Sequence, residues 1–246
     1  MSDVTVILNG YRRPEYFHDQ FQAIKAQTYQ PAEIMFWNNN APETGSFDHN
    51  LIQQNCKAAY CNQNLGVWAR FAFALMAKTK YICMFDDDTI PGNRWIENCV
   101  NTIQTHRGLL GTIGLRFKDN TTYYGAERFG WDSSCNNNVN IEEVDIVGHS
   151  WFFEREMLCA FWRELPDPSF VYAGEDIHFS YMIQKYLGLK TYVPPHPPHD
   201  QSLWGSLKAM QYGGDHKATA NHAIPIMDQY YKVCIANGFK IYNNKQ

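Results

Sequence analysis

Tyr81-Ile82-Cys83-Met84-Phe85-Asp86-Asp87-Asp88-Thr89-Ile90-Pro91 is the stretch that decides how this chain is read. An apolar run rich in strand-forming residues stops at three consecutive acids, and a proline closes it. A buried strand that delivers adjacent carboxylates to its own end sets like charges against one another, and neither folding nor solubility needs that. A divalent cation removes the repulsion, and hard oxygen ligands suit magnesium or manganese. A cation held there calls for an anionic partner such as a phosphate. The competing reading is an aspartate capping the next helix, which accounts for one carboxylate and not three.

Working back from this stretch, strands and helices alternate. Val4–Leu8 reads as a buried strand broken by Asn9-Gly10. Pro14 suits the first turn of a helix, with Phe17, Phe21 and Ile24 at helical spacing and Gln30-Pro31 as its end. Glu33–Trp37 reads as a second strand closed by Asn38-Asn39-Asn40, and Ala58–Cys61 as a weaker third. A helix from about Val67 to Lys78 turns Phe71, Ala74 and Leu75 inward. The alternation predicts an α/β fold with a mostly parallel central sheet flanked by helices. Ligands of such sheets sit beyond the carboxyl ends of the strands, where Asn9, Asn38, Asn62 and Asp86 should converge.

The second half alternates less regularly. Leu109–Leu115 is apolar and punctuated by glycine, and residues 118–140 form a polar, Gly/Asn-rich excursion. Val144–Phe153 reads as a strand containing Gly148-His149. Gly174-Glu175-Asp176 opens a helix from Ile177 to about Leu187, ended by Gly188. A short strand, Lys190–Val193, leads into the stiff loop Pro194-Pro195-His196-Pro197-Pro198-His199-Asp200, and Ala220 to about Ala236 reads as a last helix. Without a repeat, low-complexity tract or linker, the reading is one domain over 1–246.

Of 246 residues, 45% are hydrophobic and 15% aromatic, enough for a substantial core. The formal net charge of -4 argues against a nucleic-acid binder, which needs a basic face. No apolar run approaches the roughly 20 residues of a membrane span. The N-terminus runs almost at once into a strand, so a signal peptide is not expected. The seven cysteines form no CxxC pair, and several sit among apolar neighbours. A soluble, reduced, cytoplasmic protein is the expectation.

The pattern of apolar strand, Asp86-Asp87-Asp88 and Pro91 resembles the DxD motif of GT-A-fold glycosyltransferases, nearest to the inverting, family 2-like enzymes. Three further segments resemble that family in order: Asn9-Gly10-Tyr11-Arg12-Arg13-Pro14, Trp37-Asn38-Asn39-Asn40, and Asn64-Leu65-Gly66-Val67-Trp68-Ala69-Arg70. The build is also similar to small cytosolic enzymes of large algal viruses. The resemblance implies a nucleotide-sugar-binding half over 1–95 and an acceptor-binding half over 96–246. It implies that Asn9, Tyr11, Arg13, Asn38, Asn64, Gly66, Arg70 and Asp87 line the nucleotide site, with Asp86 at the ribose or donor sugar. Asp88 would hold Mn2+ or Mg2+ against the diphosphate. The family has Asp where Asn38 stands; the Asn carbonyl still accepts from a uracil N–H, so a UDP-sugar is the favoured donor. The acceptor would be a glycan or small-molecule hydroxyl.

Glu175-Asp176 is the second candidate. Acids opening a helix also favour its dipole, and that is the competing reading. In the family a carboxylate at the matching helix start is the catalytic base; Asp176 is favoured, with Glu175 binding the acceptor or taking that role. His199, beside Asp200, is the expected late metal ligand, with His196 as the alternative and a solvated surface loop as the competing reading. Trp151 suits either a sugar face or buried packing. Trp204-Gly205 and Tyr212-Gly213-Gly214 permit a flap, or an ordinary turn. A sugar-nucleotidyltransferase, a glycosidase and a metal-dependent carbohydrate-binding module are the alternative functions.

Overall fold

The computed structural model describes residues 2–41, 45–130, 137–208, 211–212, 217 and 220–244. Its strands are β1 (Val4–Gly10), β2 (Glu33–Asn38), β3 (Lys57–Tyr60), β4 (Tyr81–Phe85), β5 (Gly108–Arg116), β6 (Glu127–Gly130), β7 (Glu142–Val144), β8 (Ile146–Glu154) and β9 (Lys190–Val193). They form one sheet in the order β3-β2-β1-β4-β8-β5-β9-β7, with β6 added on β5. Pairing is parallel from β3 through β4. Beyond β4 the sheet becomes mixed: β8 runs antiparallel to both β4 and β5, and β9 parallel to β5.

The helices are α1 (Phe17–Lys25), α2 (His49–Asn55), α3 (Ala69–Phe73), α4 (Trp95–Thr105), α5 (Leu158–Phe161), α6 (Glu175–Leu187) and α7 (Ala220–Ala236). Strand alternation divides the core. Val4, Val6 and Leu8 of β1 and Tyr81, Cys83 and Phe85 of β4 face α1 and α4. Ile7, Ile82 and Met84 face the other way, towards Phe71 of α3 and Ile177 and Met182 of α6. Both faces of these central strands are covered, which is why their sequences are nearly continuous apolar runs.

Several elements differ from the sequence reading. The helix expected over 67–78 is α3 followed by a tighter 3-10 turn, Ala74–Met76. α2 and α4 were not anticipated. α2 is short and buries only Ile52 among its residues, so its apolar face is faint; Asp48 caps it by accepting from Leu51 N–H at 2.9 Å. The strand expected over 144–153 is broken at Asp145, whose carboxylate accepts from the backbone N–H groups of Phe117 (2.7 Å) and Tyr242 (2.5 Å). α6 lies between Gly174 and Gly188, both left-handed, as the glycine placement required.

In the order β3-β2-β1-β4 the chain moves outward from β1 on both sides, so the crevice lies at the carboxyl ends of β1 and β4. Asn9 and Gly10 end one wall, and Asp86–Asp88 leave the other.

Candidate active site

The three aspartates take three different directions. Asp87 turns to the loop after β1: its Oδ2 accepts from the backbone N–H groups of Arg12 (2.7 Å) and Arg13 (3.1 Å). Burial and the Asp88 charge push its carboxyl up to about 6, against the pull of Arg13. Asp88 meets the Arg13 guanidinium at 3.3 Å and His149 Nδ1 at 3.8 Å. Burial opposes its ionisation, but His149 and Arg13 outweigh burial and hold it below the usual carboxylate range. Asp86 is paired with Arg70.

Arg70 spans the crevice. One arm of its guanidinium reaches Asp86, and the other donates to Glu175 Oε1 at 2.8 Å. Its plane lies 4.5 Å from the centre of the Trp151 ring, and the residue is 3% exposed. Burial would favour the neutral form; the two carboxylates outweigh it and hold the guanidinium charged. Trp151 is itself buried and donates through Nε1 to Val147 O at 3.0 Å, so its ring supports Arg70 rather than a sugar.

Glu175 and Asp176 open α6 and are buried together. Burial raises both carboxyls. Arg70 opposes the rise at Glu175, whereas the Glu175 charge adds to it at Asp176, which reaches about 8.

On the other side of the crevice, Asn39 organises the Asn-Leu-Gly turn. Its side chain donates to Asn64 Oδ1 (2.9 Å) and Gly66 O (3.1 Å) and accepts from Leu65 N–H (2.8 Å). Asn64 in turn donates to the Tyr11 hydroxyl at 2.9 Å. Gly66 has φ of 76°, and a Cβ there would penetrate the Val171 carbonyl, so the motif glycine is required twice over. Asn9 and Asn38 sit half-buried at their strand ends.

A scan of the sequence against family models matches the glycosyl transferase family 2 model over residues 5–161. The chain belongs to glycosyl transferase family 2. A relative, the glucosyl-dolichyl phosphate glucuronosyltransferase of Haloferax volcanii, is 24% identical over 164 residues, covering 63% of this chain and 52% of that protein. The chain thus spans about half the length of the curated relative it matches. Among solved structures, S. aureus TarS residues 1–349 in complex with UDP superposes with a TM-score of 0.56 at 15% identity, covering 78% of this chain and 58% of that one. A second TarS structure gives a TM-score of 0.54 at 12% identity, covering 78% and 36%. These likenesses show the GT-A fold. They do not bear on the viral resemblance.

Within this family 2 domain the late histidines are not brought to the aspartates. His196 is fully buried: Nδ1 donates to Pro194 O at 2.8 Å and Nε2 accepts from Gly205 N–H at 3.1 Å, so both ring nitrogens are used. Burial pulls it down to about 4. His199 is exposed on the following turn, and its neighbour Asp200 binds Arg94 and Ser202 instead. The histidine that approaches the carboxylates is His149: ligand atoms of Asp86, Asp88 and His149 all lie within 4.8 Å of one another. Trp204-Gly205 is a buried corner, and Tyr212 stacks on Tyr16 at 3.8 Å. Gly213-Gly214 lies outside the described residues.

Proposed function

We propose that this chain is a metal-dependent, inverting glycosyltransferase that moves a sugar from a nucleoside-diphosphate donor, most simply a UDP-sugar, to a glycan hydroxyl. The observation that carries the reading is the Arg70 bridge. It ties the acidic end of β4, where a donor would lie, to the carboxylate pair opening α6, where a base would stand. Family membership and the UDP held by TarS support the donor class.

Two carboxylates and an imidazole within 4.8 Å form a donor set that suits Mn2+ and accommodates Mg2+. A divalent ion held by Asp88, with Asp86 and His149, would supply positive charge where the leaving diphosphate becomes negative. Asp87 serves indirectly, fixing the backbone of Arg12 and Arg13 beside the donor. Tyr11, Asn64 and Asn38 would frame the base, with Asn39 and Gly66 setting their turn. Asp86 has one oxygen engaged by Arg70 and would turn the other to the cation rather than to the ribose or donor sugar. Asp176 would take the proton of the acceptor hydroxyl as that oxygen attacks the anomeric carbon opposite the departing diphosphate, which inverts the centre. Glu175, bonded to Arg70, would orient the acceptor.

Among the described residues no helix is long and apolar enough to cross a membrane, and the described cysteines are free thiols. Both fit a site of action in the reducing cytoplasm. Thermal melts with a panel of nucleoside diphosphates, with and without Mn2+, test the proposal. A ligand that binds the native state raises the melting temperature. UDP should do so only with metal, and the shift should vanish in Asp88→Ala. No shift with any nucleoside diphosphate at millimolar concentration would overturn the reading. A metal-dependent response to glycans alone, retained in Asp176→Asn, would favour a carbohydrate-binding module.

A further inference from the structure

We infer that His149 is a direct ligand of the bound cation, delivered by a β-bulge, and that it makes this site selective for Mn2+ over Mg2+. The inference rests on the metal site proposed above and adds the identity of the ion.

The bulge is visible in the register. Gly111 of β5 pairs with Trp151 of β8, and Ile113 pairs with Gly148, so Thr112 alone faces two residues, His149 and Ser150. Extra residues of this kind break the strict up-down alternation and re-aim a side chain, and they are frequent beside active sites. His149 takes φ of 63°; among the described residues it is the non-glycine residue with positive φ. That conformation costs an ordinary side chain about 1–2 kcal/mol, so the surroundings must enforce it. The restraint is plain: the His149 carbonyl accepts from Asp86 N–H at 3.0 Å and from Thr89 Oγ1 at 2.9 Å. The two residues that bracket Asp87-Asp88 therefore hold His149 in place.

The spacing fits a shared ion. His149 Nδ1 and Asp88 Oδ1 are 3.8 Å apart, longer than a hydrogen bond. Two ligand atoms each about 2.1 Å from one ion can be at most about 4.2 Å apart, so this pair can share one without moving. The widest pair of the cluster, within 4.8 Å, needs only a small side-chain rotation. Mg2+ favours oxygen donors and retains its waters, whereas an imidazole nitrogen suits the transition metals. An oxygen-only site would be indifferent to the loss of this ring.

The test reads metal binding directly, without turnover. Mn2+ binding to the purified protein, with and without UDP, is followed by electron paramagnetic resonance, with Mg2+ as competitor. Electron spin-echo modulation on the Mn2+ complex reports a directly bound imidazole nitrogen. His149→Gly removes the ring while tolerating the positive φ, and His149→Asn tolerates that φ and offers an oxygen. The expectation is a nitrogen signal in the wild type that is absent in both variants. Mn2+ affinity should fall about tenfold or more in His149→Gly, with Mg2+ affinity nearly unchanged. Bound Mn2+ without a nitrogen signal, or equal loss of both ions in His149→Gly, would overturn the inference while leaving the metal-dependent reading intact. If neither ion binds the wild type, with or without UDP, both readings fall together. Should a variant not fold, the wild-type nitrogen signal alone decides.

Discussion

Glu175 and Asp176 are consecutive, open the same helix and are equally buried, yet only Glu175 is met by a guanidinium, with Arg70 Nη2 2.8 Å from its Oε1. That single difference divides their chemistry. At Glu175 the Arg70 charge offsets part of the rise that burial causes. Asp176 bears both the burial and the neighbouring charge, and its carboxyl rises to about 8. A base with affinity for protons near the working pH is what proton removal from a hydroxyl requires.

Asp176→Asn should therefore reduce kcat by about 10²–10⁴-fold, the usual worth of a general base, while leaving UDP and Mn2+ binding in place. In the wild type, kcat/KM should climb with pH towards about 8, because the ionised form is the active one. Stability should move the other way. Between the unfolded value of 3.8 and about 8, the folded state binds the additional proton, so stability falls as pH rises through that window. The asparagine variant lacks this loss. Its melting temperature should gain on the wild type from pH 4 to pH 8, and parallel curves would count against a raised Asp176.

Arg70 faces the buried Glu175 on one side and the half-buried Asp86 on the other, so its removal leaves one buried and one partly buried charge uncompensated. Arg70→Ala should cost about 3–5 kcal/mol of stability, read by urea denaturation. Arg70→Lys should recover only part of that, since an ammonium cannot fork between Asp86 and Glu175. A loss below about 1 kcal/mol for the alanine variant would mean that the bridge is not maintained in solution.

Gly66→Ala forces a Cβ into the Val171 carbonyl at a positive φ. It should destabilise the protein by at least about 1–2 kcal/mol from the backbone conformation alone. Because Gly66 N–H donates to Asn64 Oδ1 at 2.8 Å, UDP affinity should weaken along with stability. Calorimetric titration with UDP and Mn2+ measures the second effect.

What was legible in the sequence depended on local conflicts and local periodicity. Asp86–Asp88 stood out because charge met a buried strand, and Gly174 because a glycine preceded paired acids at a helix start. Arg70 was placed at the nucleotide by its motif, but its reach to Glu175 joins residues 105 positions apart and has no sequence signature. His149 is hidden in the sequence because it lies within what reads as one regular strand. The available signal was the glycine before it: a glycine inside a strand marks a bulge. His199 reads as a metal ligand in the sequence through its neighbour Asp200, whose carboxylate instead binds Arg94 and the turn at Ser202.

His196 gives a prediction of opposite sign to that for Asp176. It is neutral and fully buried, lies 5.3 Å from the Trp95 ring, and has a hydrogen bond at each nitrogen. Burial lowers it from 6.5 to about 4. Between those values the unfolded chain binds the additional proton, so stability present above pH 6.5 is lost as pH falls towards 4. The slope approaches about 1.4 kcal/mol per pH unit for one such group. His196→Gln keeps a donor for Pro194 and an acceptor for Gly205 but cannot take up a proton. Its unfolding free energy should be flatter than that of the wild type between pH 6.5 and 4, and its Mn2+ affinity unchanged. An unaltered acid slope would place the sensitivity elsewhere. A loss of Mn2+ binding in a folded variant would return His196 to the metal site, against the tautomer that its two hydrogen bonds require.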